Sequence, residues 1–455
     1  MCAPRTRVEL LADIEKWIFQ QPNDAKHIFW LTGIPGSGKS TLSATIVENL
    51  RQNHTPVSAQ FFISRNIAET IDPDKIIPTI AQQLAKFPPA ARVLEMALKN
   101  EYPGTWDEQV TSLLLDPIRE LSKSRDVVVI LIDALDELND AVHRVPKILS
   151  HIAPIDLPNN IRFIITSRPE QWADISENEK IKLAVFKQHS LATDESVADV
   201  NNFIDDRMKE ITPKEPGWGG WPDPDQLQRL RNNANGLFHY AATALQWIEQ
   251  RISKHGTACR ESVFKRFSED GLHELEGLYK LILTSWEDPT DDNDGRATRL
   301  AGFQHAMGTI LVLRKPLLVR EIVELLRDIP SNEFDVANFL QQMRSVLIPD
   351  TTTSFRDATP QVHKSFRDYI MSERAPHGFQ IRDANFKTAR RCLDIIVKAG
   401  SQSGIDNEYA VTHWYGHLEA AAWEGTISVD DLENWKTKLT KAKETFLVRQ
   451  HSANL

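Results

Sequence analysis

HIFWLTGIPGSGKSTLSATIVENL, residues 27–50, is the stretch on which the reading of this chain turns. A short apolar run, HIFWL (27–31), gives way to a Gly-rich turn, and an apolar periodic stretch follows to about Gln52. That order reads as strand, loop and helix. The turn, GIPGSGKST (33–41), fits G-x-x-x-x-G-K-[ST] in the strand-to-helix setting that the motif requires. Gly33, Gly36 and Gly38 let backbone approach a phosphate and permit positive φ. Successive N–H groups and the helix N-terminus then face the anion. Lys39 supplies a point charge to β and γ phosphates, and Ser40, followed by Thr41, offers a hydroxyl to Mg²⁺. The expected ligand is a purine triphosphate, ATP or GTP, with Mg²⁺.

Outward from this loop, DVVVILID (126–133) is a continuous apolar run ending in acids, as a buried parallel strand would be. In LIDALDEL (131–138), Asp133 closes the strand, where an acid can hold Mg²⁺ through water. Glu137 is placed to polarise or deprotonate an attacking water, with Asp136 as the alternative base. Acids at a strand end also commonly cap a following helix; the loop at 33–41 favours the metal. ITSRPE (165–170) ends another apolar strand, and Arg168 falls on the edge where ligands sit in open α/β sheets. An Arg there can detect a γ-phosphate; the plainer reading is a salt-bridged surface Arg. VSAQFFI (57–63) is a further strand and IKLAVFKQHSL (181–191) a weaker one. Helices are expected at 8–19 and through 73–121, broken near 88–89 and 102–104. The fold class is α/β: a parallel sheet with helices on both faces.

After about residue 191 the strand signals stop. Residues 194–209 and 225–251 read as helices, separated by the Pro/Gly-rich ITPKEPGWGGWPDPD (211–225). Trp218 and Trp221 there are expected to pack on their own domain, the alternative being a partner anchor. The pattern stays helical over 258–345, with a polar break at 288–295. SVLIP (345–349) and PQVHKSF (360–366) could form a small hairpin, and helix returns from Ala384 to about Arg449. His413 and His417 stand four apart on a helix with no evident third ligand, so zinc is not expected.

The 63 acidic and 53 basic residues leave a net charge of −10, against non-specific binding of nucleic acid or anionic membrane. Cys2, Cys259 and Cys392 have neither metal spacing nor a disulfide pattern. No run approaches the ~20 apolar residues of a membrane span. The expected address is cytoplasmic.

The loop, D-A-L-D-E and T-S-R-P-E, in this order, resemble the NACHT branch of the signal-transduction ATPases, above all fungal proteins of the heterokaryon-incompatibility and NACHT–WD-repeat kind. CAPRTRVELLADIEKWI (2–18) is similar to their entry helix, GLFHYAATAL (236–245) to their first helical domain, VHKSFRDYI (362–370) to their winged helix and YAVTHWYGHL (409–418) to a segment further on. The resemblance implies a nucleotide-binding domain at 1–191, a first helical domain at 192–268, a winged-helix domain at 269–375 and a second helical domain at 376–455. It further implies a slow nucleotide-dependent switch whose triphosphate form self-associates, coupled to effector or sensor domains. By position His363 matches the winged-helix His that touches the diphosphate in the closed state. One departure is that 235–238 (Asn-Gly-Leu-Phe) lacks the Pro that relatives place against the base. With no effector domain read before residue 8 and no WD, ankyrin or TPR-like repeats, the expectation is either a minimal switch or a piece of a longer receptor. The rival functions are an ordinary P-loop ATPase or kinase, and an interaction module with a vestigial nucleotide site.

Overall fold

A computed structural model describes residues 1–19, 27–55, 57–100, 102–139, 141, 157–170, 185–267, 274–286, 293–327, 334–347, 354–401, 408–428, 430–437 and 440. The chain divides into two compact units, Met1–His273 and Glu274–Leu455.

The first unit is built on five parallel strands: β1 (Ile28–Thr32), β2 (Ala59–Phe62), β3 (Val128–Asp133), β4 (Ile161–Ser167) and β5 (Val185–Ser190), in the order β2-β3-β4-β1-β5. β1, β3 and β4 are buried along their whole length, which is why they read as unbroken apolar runs rather than alternating ones. Alternate residues feed two separate cores. Trp30, Ile130, Ile132, Phe163 and Ile165 pack on one face beneath α3 (Ile76–Leu84), α4 (Pro88–Asn100) and a helical stretch comprising α5 (Trp106–Gln109), a π turn (Val110–Leu115) and α6 (Asp116–Ser122). Phe29, Leu31, Val129, Leu131 and Ile164 pack on the other with α1 (Val8–Phe19) and α2 (Lys39–Gln52). Of the breaks expected, Pro88 and Pro89 open α4 after the gap that follows α3, and 102–104 fall just before α5. Of the stretch 181–191, residues 185–190 are strand and 181–184 lie outside the described residues.

Beyond the sheet lie α7 (Asp194–Ile211), α8 (Pro224–Ala234), α9 (Phe238–His255) and α10 (Arg260–Arg266). The starts of α7 and α8 follow from capping: Thr193 accepts from the Ser196 N–H, and Asp223 forms a capping box with Gln226. Asn235 and Gly236, both at positive φ, end α8 and turn the chain into α9. Trp218 and Trp221 are buried, edge to face at 4.9 Å, with Trp221 against Phe264. They are core of the loop's own unit.

The second unit is helical: α11 (Leu275–Trp286), α12 (Asn293–Val312), α13 (Val319–Leu325), α14 (Val336–Gln342), α15 (Lys364–Ile370), α16 (Ala384–Ser401) and α17 (Glu408–Trp423). Trp286, Phe303, Phe339 and Phe379 form an aromatic centre. The hairpin expected at 345–366 is present as one antiparallel bridge, Leu347 to Val362. His417 is buried and bonds Tyr409 Oη at 2.8 Å and Asn385 Oδ1 at 2.9 Å, with its ring nitrogens so engaged. Residues 441–455 lie outside the described residues. Among those described, no helix is long and apolar enough to cross a membrane.

Candidate functional site: a phosphate loop and an acidic sheet edge

The carboxyl ends of β1, β3 and β4 place every site residue expected in the first unit. The phosphate loop leaves the carboxyl end of β1, which lies between β4 and β5, on the edge at which open sheets bind ligands. Gly36 and Gly38 sit at φ 84° and 91°; Gly38 is the left-handed residue from which α2 starts. A Cβ on Gly36, at positive φ, would come within 2.8 Å of His239 Cβ and strain the loop, and one on Gly33 would come within 2.2 Å of Ser37 Oγ and displace that hydroxyl. The His239 N–H donates to Gly36 O at 3.0 Å, which lays the start of α9 on the loop.

Lys39 folds back over the loop and donates to Gly33 O at 2.6 Å and Ile34 O at 3.4 Å. Burial lowers its pKa, opposed by the charges of Asp136, Asp133 and Glu137. A lysine held by two neutral carbonyls, facing acids that it does not touch, is a cation poised for an anionic ligand.

Asp133 is 1 % exposed. Its Oδ1 accepts from Ser43 Oγ and Thr166 Oγ1, each at 2.7 Å, and its carboxyl also bonds the Ser40 side chain. Burial nonetheless raises its pKa. The sheet register explains Thr166: Ile132 pairs with Ile165, so the next residues of β3 and β4 are neighbours. Ser40 and Thr41 are exposed in the first turn of α2. Ser40 is thus both open to solvent and bonded to Asp133, an oxygen pair of the hard-donor type that Mg²⁺ takes.

Asp136 and Glu137, on a single 3₁₀ turn after β3, diverge. Asp136 is buried and its Oδ2 lies 3.1 Å from Arg168 Nε. Glu137 is half-buried and accepts from the Arg65 N–H at 3.0 Å, just past β2. Arg168 is therefore joined to the acids as well as to the strand edge. Ser43, Thr166 and the Arg65 amide were not anticipated from the sequence. The signal for Thr166 was a polar residue closing an apolar strand two positions before Arg168; Ser43, one turn beyond Ser40, has none.

His363 belongs to the second unit. It caps α15, its Nδ1 accepting from the Ser365 N–H at 3.3 Å and bonding Ser365 Oγ at 2.6 Å. Among the described residues no His, Cys, Asp and Glu cluster forms a separate metal site.

A parallel sheet in the order β2-β3-β4-β1-β5, with a phosphate loop on β1 and acids closing β3, is a P-loop nucleoside triphosphatase fold. Residues 6–168 match the family model described as Nephrocystin 3, N-terminal. The chain is 24 % identical over 426 residues to vegetative incompatibility protein HET-E-1 of Podospora anserina, and the match covers 86 % of this chain. It spans only 28 % of that relative's length. The resemblance to fungal NACHT-type incompatibility proteins drawn from the motifs therefore holds. Among solved structures, Cdc6p from Pyrobaculum aerophilum matches at 13 % identity and a TM-score of 0.39, covering 81 % of this chain and 92 % of that one. The Aeropyrum pernix Orc1 protein, solved in complex with DNA, matches at 14 % and 0.36, covering 79 % and 90 %.

Proposed function

We propose that this chain is a nucleotide-dependent switch: it binds ATP or GTP with Mg²⁺, hydrolyses it slowly and self-associates in the triphosphate form. The observation that carries the reading is Lys39, a half-buried cation on the phosphate loop that feels Asp133, Asp136 and Glu137 but bonds only loop carbonyls. In this reading Gly33, Gly36, Gly38, Lys39 and Thr41 form the phosphate cradle, and Ser40 and Asp133 hold Mg²⁺, which supplies charge neutralisation between the phosphates. Glu137 is the base rather than Asp136, because Asp136 is buried in an ion pair and Glu137 is the more open carboxylate. Arg168 reports the γ-phosphate through its tie to Asp136, and His363 touches the diphosphate in a closed form. The domain limits 1–191, 192–268, 269–375 and 376–455, the cytoplasmic setting and the coupling to effector or sensor domains belong to the same proposal.

Titration with fluorescent ATP and GTP analogues tests it. Wild type should bind one of them in a Mg²⁺-dependent way and Lys39→Ala should not. Equal affinity in the two proteins would remove the phosphate loop from the account.

A further inference from the structure

Arg7 lies outside the phosphate-binding, acidic and sensor motifs, yet its side chain is 3 % exposed and reaches the phosphate loop. Its Nη2 donates to Ser37 O at 3.2 Å, between Gly36 and Gly38. Its Nη1 donates to Ser196 Oγ near the start of α7, and its guanidinium lies 5.4 Å from the centre of the Phe238 ring at the start of α9. The Arg7 N–H donates to Asp199 Oδ2 at 2.8 Å, and Asp199 and Glu195 offset the buried charge. The backbone at Arg7 is left-handed, φ 59°, a conformation costing an ordinary residue about 1 kcal/mol. One side chain therefore ties three parts of the unit together, and its rigid two-pronged fork is what lets it do so. The same segment holds the loop helix a second time, the Cys2 N–H donating to Thr45 Oγ1 at 2.7 Å.

We propose that Arg7 is a positioning residue that couples docking of segment 1–7 to occupation of the phosphate loop. The inference rests on the nucleotide reading above. A ligand that fixes the loop fixes the Ser37 carbonyl, and through it the fork that holds segment 1–7 against α7 and α9. By linkage, a docked segment must favour the ligand by the same factor that the ligand favours docking. Whatever pulls on the N-terminal segment thereby changes nucleotide affinity.

Hydrogen exchange of the 455-residue chain, with and without saturating β,γ-imido ATP or β,γ-imido GTP, tests this. In wild type the analogue that binds should slow exchange of the peptide at 1–11 about 10-fold. Arg7→Lys keeps the charge but loses the fork; it should abolish most of that slowing and weaken analogue binding by a similar factor, about 10-fold. Ser196→Ala, which removes one acceptor and leaves Arg7 in place, should reduce the slowing about 3-fold, and it stands in if Arg7→Lys does not fold. A purely structural Arg7 would lower the melting temperature of the variant and leave wild-type exchange at 1–11 indifferent to nucleotide. Such indifference with normal analogue binding overturns the coupling and leaves the nucleotide site standing. Undiminished slowing in the variants removes the fork from the coupling. Wild type that binds neither analogue overturns both readings.

Discussion

Arg168 Nε lies 3.1 Å from Asp136 Oδ2, the Arg a quarter exposed and the Asp almost fully buried. The residue that follows β4 is thereby joined to the turn that follows β3. Arg168→Ala removes the cation beside a buried carboxylate, and the cost should be about 1–3 kcal/mol, below that of a fully buried pair because the Arg is partly solvated. Asp136→Ala in the Arg168→Ala background should recover part of the loss. Urea denaturation of both single variants and the double variant closes the cycle, and strict additivity would mean that the pair contributes no coupling.

Asp133 gives an unusual expectation. Burial raises its pKa, so its ionised form is unfavourable in the fold despite three hydroxyl partners. A raised folded pKa adds stability at low pH that is lost as pH rises through that value. At neutral pH, Asp133→Asn should therefore hold or raise the melting temperature while Mg²⁺-dependent nucleotide binding disappears. In wild type the same Mg²⁺ dependence should fade on acidification at a pH above the ordinary carboxylate range. A markedly destabilised Asp133→Asn variant that still binds with Mg²⁺ would contradict both parts.

Ala134, directly after Asp133, is in the left-handed region at φ 64°, ψ 47°. Its N–H donates to Thr166 Oγ1 at 2.7 Å, which fixes the turn. Ala134→Gly relieves the Cβ clash at some cost in unfolded-state entropy, for a net gain of about 0.5–1 kcal/mol. Ala134→Val should lose stability. Denaturation midpoints decide, and a less stable Gly variant would refute the strain argument.

Glu137→Gln can still accept the Arg65 N–H, so fold and nucleotide binding should persist. Hydrolysis should fall by about 10²–10⁴-fold, the contribution of a general base. Single-turnover hydrolysis checks this; a wild-type rate, with Asp136→Asn inactive, would move the base to Asp136.

His363 caps α15 through Nδ1, and His363→Ala should cost about 1 kcal/mol for the cap alone. His363→Asn keeps a capping oxygen and removes the imidazole. If His363 also holds a diphosphate, the Asn variant should melt like wild type and release labelled diphosphate about 10-fold faster, as loss of a charge-assisted bond predicts. Equal release rates in stopped flow would leave His363 a cap only.

The sequence by itself determined the local pieces. A Gly-rich turn between an apolar run and a periodic helix admits few conformations, so the loop at 33–41 and α2 could be read directly. The fully apolar runs of β1, β3 and β4 announced strands buried on both faces. Which strands lie side by side was decided only in three dimensions. β4 separates the loop strand from the acid strand, because pairing is settled by how helices cover the two faces and not by any pattern within one strand. From that order follow the contacts that define the site: Thr166 beside Asp133, Arg168 on Asp136, and the Arg65 amide on Glu137. Arg7 shows the same division. The helix that begins at Val8 was legible, but the guanidinium of Arg7, just before it, spans Ser37, Ser196 and Phe238 and joins residues up to 231 positions apart, and only the packing of α1, α7 and α9 around the loop brings them within reach.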